Sequence, residues 1–310
     1  MSEDNDTFII SDEEAGERLD KVLVSRLGSA GSRTYFQFLI DEGRVLLNGE
    51  PAKKRIKPKS GDEVEVDYIL TPELTLEAEN IPLNIIYEDE SIIVVDKKPG
   101  MVVHPAVGHW TGTFVNALLY YCRVETTIKN NKDDLRPGIV HRLDKETSGL
   151  IVAAKTLVAQ QRLIEMFTKH TVYKEYLAVC VGNPGKGTID VPIGRHPANR
   201  KMMAVLKEGG KAAVTHFQTL AFNEKLSLVS VVIATGRTHQ IRVHMKHRGM
   251  PVLGDAIYGT PSANTKFGVE RQMLHAYRLR FAHPITGEPM SFEAEIPPDM
   301  QAVAKKISFS

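Results

Sequence analysis

The amino-acid sequence predicts an α+β protein in two unequal parts: a small N-terminal module of helices and short strands, and a larger, mainly antiparallel β domain. Three observations predict it. The first 70 residues combine two helix-period apolar runs with a strand that turns at Asn48-Gly49. The stretch from Tyr68 to Pro82 carries Pro72 and Pro82 and little periodicity, as a linker does. Beyond it, alternating β-branched runs separated by short turns outnumber the helical ones. The expected boundaries are a flexible acidic tail over 1–10, the module over 11–70, a linker over 71–80 and the large domain over 81–304.

In the module, Leu19, Val22, Leu23 and Leu27 recur at helical spacing and Gly28 stops the run. Ser32 is a good N-cap for a second helix carrying Tyr35, Phe36, Phe38, Leu39 and Ile40, and Gly43 stands where a C-terminal glycine would. Val45-Leu46-Leu47 runs into the Asn-Gly turn, and Val64-Glu65-Val66 alternates as a strand able to close a small sheet. Lys53, Lys54, Arg55, Lys57 and Lys59 fall close together after the turn. With Lys21, Arg26 and Arg33 they make either a basic face for phosphates or a solvated loop.

The large domain opens with a hairpin pattern, Ile85 to Val95, which Lys97-Lys98-Pro99-Gly100 breaks. Thr113 to Cys122 reads as a helix. Gly138 to Lys155 reads as a buried strand (Gly138-Ile139-Val140), a crowded polar loop from His141 to Ser148, and a second buried strand from Leu150 to Ala154. Thr156 can cap a helix bearing Leu157, Leu163, Ile164, Met166 and Phe167. From Val172 to Val181 the chain alternates, with Lys174, Tyr176, Ala178 and Cys180 on one face and Glu175, Leu177 and Val179 on the other. Strands are expected over 201–205, 213–220, 226–234, 274–281 and 291–296. Thr238 as N-cap and Gly249 as C′ residue bracket one more helix, with Ile241 and Met245 a turn apart.

With 42% hydrophobic and 25% charged residues in 310, the chain has an ordinary globular composition. Its net charge of +1 is too small to imply a nucleic-acid partner, so any basic surface must be local. Two cysteines, Cys122 and Cys180, cannot build a disulfide framework. The acidic N-terminus lacks the pattern of a secretory signal, and no apolar run approaches the roughly 20 residues of a membrane span. These features point to a cytoplasmic protein with no membrane partner.

Read from residue chemistry alone, the large domain offers one loop carboxylate, Asp144, near the loop or helix-start arginines Arg142, Arg237 and Arg242. It has no phosphate-binding glycine loop, nucleotide fingerprint or Ser-His-Asp spacing. His239, His244 and His247 lack a carboxylate or cysteine at ligand spacing, so no metal site is expected. What remains is an acidic site able to act as nucleophile or base without a cofactor.

Arg18-Leu19-Asp20-Lys21, Ser32-Arg33, Gly43 to Gly49, and Lys57-Pro58 followed by Gly61-Asp62 resemble the small RNA-binding domain of the ribosomal-protein-S-four type. In the large domain, His141-Arg142-Leu143-Asp144 with Thr147-Ser148-Gly149-Leu150, then Lys174-Glu175-Tyr176, then Gly236 to His244 with Gly254-Asp255, resemble the RluA-type pseudouridine synthases. Arg195-His196-Pro197 and Met203-Ala204-Val205 suggest the RluD-like members. The resemblance implies that the chain isomerises uridine in RNA, with large-subunit ribosomal RNA as partner, free or in a pre-ribosomal particle, and acts as a monomer without cofactor. It implies Asp144 as the nucleophile, attacking base or sugar, Arg242 as its cation partner, and Tyr176 stacked on the target base. Arg142 matches the residue that fills the gap left by the flipped base. Arg237, His239 and Gln240 join it toward the substrate RNA, with Gln240, like His141, weighted to structure. In the module, Lys21, Arg33, Lys53, Lys54, Arg55 and Lys57 are the implied RNA contacts.

Overall fold

The computed structural model describes residues 5–27, 33–53, 55–68, 78–104, 111–122, 138–197, 199 and 202–308. They form two compact units, divided between Thr75 and Leu76 within the expected linker. The Ser32 cap, Gly28 and Lys54 lie outside the described residues.

The N-terminal unit comprises β1 (Asn5–Ile9), α1 (Leu19–Leu27), α2 (Arg33–Asp41), β2 (Val45–Leu47), β3 (Glu50–Pro51) and β4 (Glu63–Asp67). Its strands form one antiparallel sheet in the order β1-β4-β2-β3. The expected flexible tail over 1–10 is corrected here, because residues 5–9 pair along the whole of β4. An edge strand needs little apolar content: Phe8 packs on the core of Leu19, Leu23, Phe36, Leu39, Val64 and Val66, and Ile10 is fully buried. Asn48 and Gly49 both take positive φ, as an Asn-Gly hairpin turn requires.

The larger unit begins with β5 (Asn84–Glu88), β6 (Ile92–Lys97), α3 (Phe114–Cys122), β7 (Ser148–Ala154) and α4 (Leu157–Thr168). β8 (Tyr173–Val181), β9 (Lys186–Asp190), β10 (Ile193–Arg195), β11 (Met203–Val205), β12 (Val214–Phe222) and β13 (Leu226–Ile233) follow. The unit closes with α5 (Gln240–His247), α6 (Pro261–Phe267), β14 (Leu274–Ala282), β15 (Pro289–Glu293) and α7 (Pro298–Ser308), so it runs past the expected end at 304. The main sheet has the order β5-β6-β7-β14-β8-β13-β12-β9, and β15 pairs with β14.

One junction in that sheet is parallel. β14 meets β7 only through His275–Ser148 and Ala276–Gly149, after which β15 takes over along β14 from Arg278 to Ala282. The sheet therefore forks at Gly149. This glycine sits at φ 108, where a Cβ would collide with the backbone of Ala276, so no other residue allows the approach.

Gly138-Ile139-Val140, expected as a strand, makes only an isolated bridge between Ile139 and Ala153. Beyond the fork, β7 has no named strand on that side among the described residues. The Gly138 carbonyl accepts from the Ala154 amide, and His141 Nε2 accepts from the Val152 amide at 3.0 Å. The segment thus covers an open sheet edge, and its polar loop emerges beside the fork.

Both faces of β8 are buried, as its alternation suggests. Tyr176, Ala178 and Cys180 join a core with Ile151, Val231, Ile241 and Met245, while Leu177 and Val179 pack with Leu253, Met300, Val303 and Ile307. α7 supplies the last three. Its Met300, Val303 and Ile307 have helical spacing, a signal the sequence reading did not use.

Candidate active site

Asp144 lies in the loop that leads into β7, and Arg242 reaches it from the first turn of α5. Arg242 Nη1 donates to Asp144 Oδ2 at 2.9 Å. The same guanidinium donates through Nε and Nη2 to the two carboxylate oxygens of Asp255, at 2.7 and 2.9 Å. Asp255 is buried, and its Oδ1 also accepts from the amides of Ile257 and Tyr258. Burial works against the Arg242 cation, but the bonds and charges of Asp255 and Asp144 outweigh it and raise its pKa. Burial likewise opposes the Asp255 charge, and Arg242 more than offsets it, so that carboxyl is held below its ordinary range. The pair is a fixed, permanently ionised anchor, and only one edge of Arg242 is left for Asp144.

Two aromatic groups close the arrangement. The Arg242 guanidinium lies 5.1 Å from the centre of the Tyr258 ring. The Tyr258 hydroxyl accepts from the Met203 amide and bonds His239 Nδ1 at 2.8 Å, and His239 Nε2 stands 4.0 Å from Asp144 Oδ1. Burial lowers the pKa of His239, with Asp144 pulling the other way. The α5 N-cap is His239, not Thr238 as expected: it takes a left-handed backbone, φ 56, which turns its ring toward Asp144 without any side-chain cap.

The Asp144 loop is gripped from below. Lys97, buried at the end of β6, donates to the carbonyls of Lys98, Met101 and Lys145 at 3.0 to 3.1 Å. Burial lowers its pKa to about 8, against the charges of Glu146 and Asp144. Arg271 donates to the Glu146 carbonyl and is clamped by Asp299 of α7, and Gln272 Nε2 donates to Thr147 Oγ1 at 2.7 Å. Successive residues of the loop are therefore tied down, Lys145 to the end of β6 and Glu146 and Thr147 to the segment that leads into β14. That is the rigidity a side chain needs to stay aimed.

Asp144, His239 and Arg242 line a cleft of about 460 Å³ that also takes in Arg142, Lys174, Tyr176, Arg237, Phe167 and His170. Tyr176 comes from β8, and its hydroxyl has no hydrogen-bond partner among the described residues. Burial, then the Asp144 charge, raises its pKa well above the ordinary phenol value, so it stays protonated. Arg142 is exposed and makes no ion pair among the described residues. Arg237 is partly exposed and donates to the Ala212 carbonyl.

Gln240 departs from its expected contact with RNA. It is buried, its Oε1 accepts from Thr235 Oγ1 and the Arg237 amide, and its Nε2 donates to the Val214 carbonyl and Thr215 Oγ1. With all four bonds made inside the protein, it locks the approach to α5. His141 is also structural. Its ring stacks on Phe167 at 4.6 Å, and burial holds its pKa down to about 3. His244 is buried and bonds Thr215 and the Val191 carbonyl, and no metal-holding group of three or more His, Cys, Asp or Glu occurs among the described residues.

In the N-terminal unit, Lys53, Arg55, Lys57 and Lys59 are exposed and unpaired among the described residues. Arg33 and Arg18 are instead bound to buried Asp20, and Lys21 pairs with Glu17 at 3.5 Å. Arg33 is thus occupied in holding the two helices together.

Residues 91–247 match the family model described as RNA pseudouridylate synthase, and residues 17–64 match that of the S4 domain. The chain belongs to the RNA pseudouridylate synthase family. It is thus an enzyme that isomerises uridine in RNA, with an RNA-binding domain in front of its catalytic one. It is 46% identical to a ribosomal large subunit pseudouridine synthase D of Neisseria meningitidis over 92% of this chain and 77% of that protein. An uncharacterized RNA pseudouridine synthase of Chlorobaculum parvum is 43% identical over 97% of both chains. Among solved structures, human RNA pseudouridylate synthase domain containing 4 shares the fold, with a TM-score of 0.57 and 24% identity over 73% of this chain and 93% of that one.

Sequence reasoning singled out Asp144, Arg142, Tyr176 and Arg242, and the structure gathers all four around one cleft. It missed Asp255 and Tyr258 as partners of Arg242, and Lys97, Arg271 and Gln272 as braces. Asp255 had a signal, since Gly254-Asp255 was part of the resemblance. The braces had none, because each reaches a loop residue distant in sequence: Lys97 the Lys145 carbonyl, Arg271 the Glu146 carbonyl and Gln272 the Thr147 hydroxyl.

Proposed function

We propose that the enzyme converts uridines of large-subunit ribosomal RNA to pseudouridine without a cofactor, with Asp144 as the nucleophile. The observation that carries this is the Asp144 carboxylate in the cleft, bonded to an arginine that Asp255 already fixes. The relatives named ribosomal large subunit pseudouridine synthase D, at 40 to 46% identity over nearly all of the chain, support the choice of RNA and a cytoplasmic setting.

The reaction breaks the bond from N1 to C1′ and joins C5 to C1′, while a proton leaves C5 and one is gained at N1. Asp144 attacks the base or sugar through its carboxylate, which Arg242 orients by donating a hydrogen bond at 2.9 Å. Asp255 takes up two of the guanidinium nitrogens, so Arg242 presents a fixed donor rather than a mobile charge. Tyr176, a protonated phenol, stacks on the base and donates a hydrogen bond instead of serving as a standing base. A base within folded RNA must first be flipped out, at a cost of about a few kcal/mol. Arg142, exposed beside Asp144, fills the gap left behind, and Arg237 and His239 flank the same opening. Lys53, Arg55 and Lys57 of the N-terminal domain hold phosphates of the target RNA.

The test is a map of pseudouridine across total RNA in cells with and without the gene. Loss of defined pseudouridines from large-subunit RNA is the expected result. Loss confined to transfer RNA would overturn the substrate assignment.

A further inference from the structure

The cleft holds one more charged group, which the reaction above does not use. Lys174 of β8 is 6% exposed, yet its ammonium has neither a carboxylate nor a carbonyl partner among the described residues. Every other buried cation of this unit is paired: Lys97 with three carbonyls, Arg242 with two carboxylates, Arg271 with Asp299. The Lys174 nitrogen lies over the Phe167 ring of α4, 5.6 Å from its centre. Burial alone lowers its pKa, with no carboxylate opposing the shift.

A desolvated, unpaired ammonium is a cost to folding. A protein retains one where a ligand completes it. Lys174 lines the cleft with His141, Phe167 and His170, and its nitrogen is not among the sealed, unpartnered polar atoms. On β8 it lies two residues from Tyr176, so both side chains point from the same face, about 7 Å apart along the strand. His141 cannot serve as its counter-ion, since it is neutral with Nε2 occupied by the Val152 amide. The missing partner is an anion supplied from outside. In RNA the only anion is the phosphodiester.

We propose that Lys174 binds a backbone phosphate of the RNA next to the flipped uridine, one strand step beyond the base that Tyr176 contacts. This rests on the cleft being the active site, as proposed above. Phe167 and His141 wall the ammonium off from solvent, which strengthens its attraction for that phosphate and fixes the register of the strand entering the cleft.

Lys174→Met and Lys174→Arg test it. The substrate is total RNA from cells lacking the enzyme, labelled with tritium at uridine C5, and the readout is tritium released to water as a function of KCl concentration. For Lys174→Met, KM should rise about tenfold or more with kcat within about threefold. The plot of log(kcat/KM) against log[KCl] should become shallower by about 0.7 to 0.9, the slope of one phosphate. Lys174→Arg should keep the slope. The Met variant should melt no lower than the wild type, because it removes an unpaired buried charge. A raised KM with unchanged salt slope would mean a neutral oxygen is bound, and would overturn the proposal. So would a lowered melting temperature with unchanged kinetics, which is the mark of a packing residue. Failure of the Asp144 assignment would read out separately, as turnover surviving in Asp144 variants whose Lys174 is intact.

Discussion

At the scale of single residues, the site depends on one guanidinium shared by two carboxylates. Lysine cannot bridge three oxygens in that geometry, so Arg242→Lys should lower kcat about a hundredfold while leaving most RNA affinity in place. Asp255→Asn should cost both activity and stability, about 3 kcal/mol in urea unfolding, because it leaves Arg242 buried with half its anchor gone. A second residue-scale expectation concerns acid. Burial opposes the Asp20 charge, but Arg18, Gln37 and Arg33 lower its pKa to about 2. A carboxylate whose folded pKa is depressed stabilises above its unfolded value, 3.8, and loses that contribution as the pH falls toward the folded one. The gap in unfolding midpoint between wild type and Asp20→Asn should therefore be full at pH 5 and shrink toward pH 2. At this scale the sequence could single out Asp144 and Tyr176 by residue type and motif, and the structure brings both to one cleft. The sequence was least legible for Asp255 and Lys97, whose importance lies in partners brought up by the fold.

At the scale of elements, the fork at Gly149 positions everything else. Gly149→Ala puts a Cβ against the Ala276 backbone at a φ that disfavours side chains. It should destabilise by more than about 2 kcal/mol and reduce activity even in the folded fraction, since β7 carries the Asp144 loop. Circular dichroism on denaturant titration and tritium release on the same sample check both parts. Strands with strong alternation, such as β8, β12 and β13, were readable: β8 meets a core on each face, and β12 buries Thr215 and Phe217 while His216 and Gln218 stay exposed on the other. β1 was not, since an edge strand with polar neighbours takes its stability from backbone pairing that composition does not reveal. Gly138-Ile139-Val140 misled in the opposite direction. It is apolar enough for a strand, but it serves as cover for the free edge of β7.

At the scale of the whole molecule, a net charge of +1 conceals a local basic loop. Lys53, Arg55, Lys57 and Lys59 are exposed and make no side-chain ion pair among the described residues, so RNA affinity should depend steeply on salt despite the near-neutral total. Replacing Lys53, Arg55 and Lys57 with glutamine should reduce the salt slope of RNA binding by about 2 to 3 while leaving kcat within about threefold. An unchanged slope would remove the N-terminal domain from the RNA contact. The two-part architecture was legible because the linker shifts composition. Yet the central claim lives in one loop. The measurement that tests it most directly is tritium release from C5-labelled RNA by Asp144→Asn and Asp144→Ala, each verified to fold and to bind RNA like the wild type. The account predicts that release falls at least about a thousandfold in both. Release within about tenfold of wild type in either variant would contradict it.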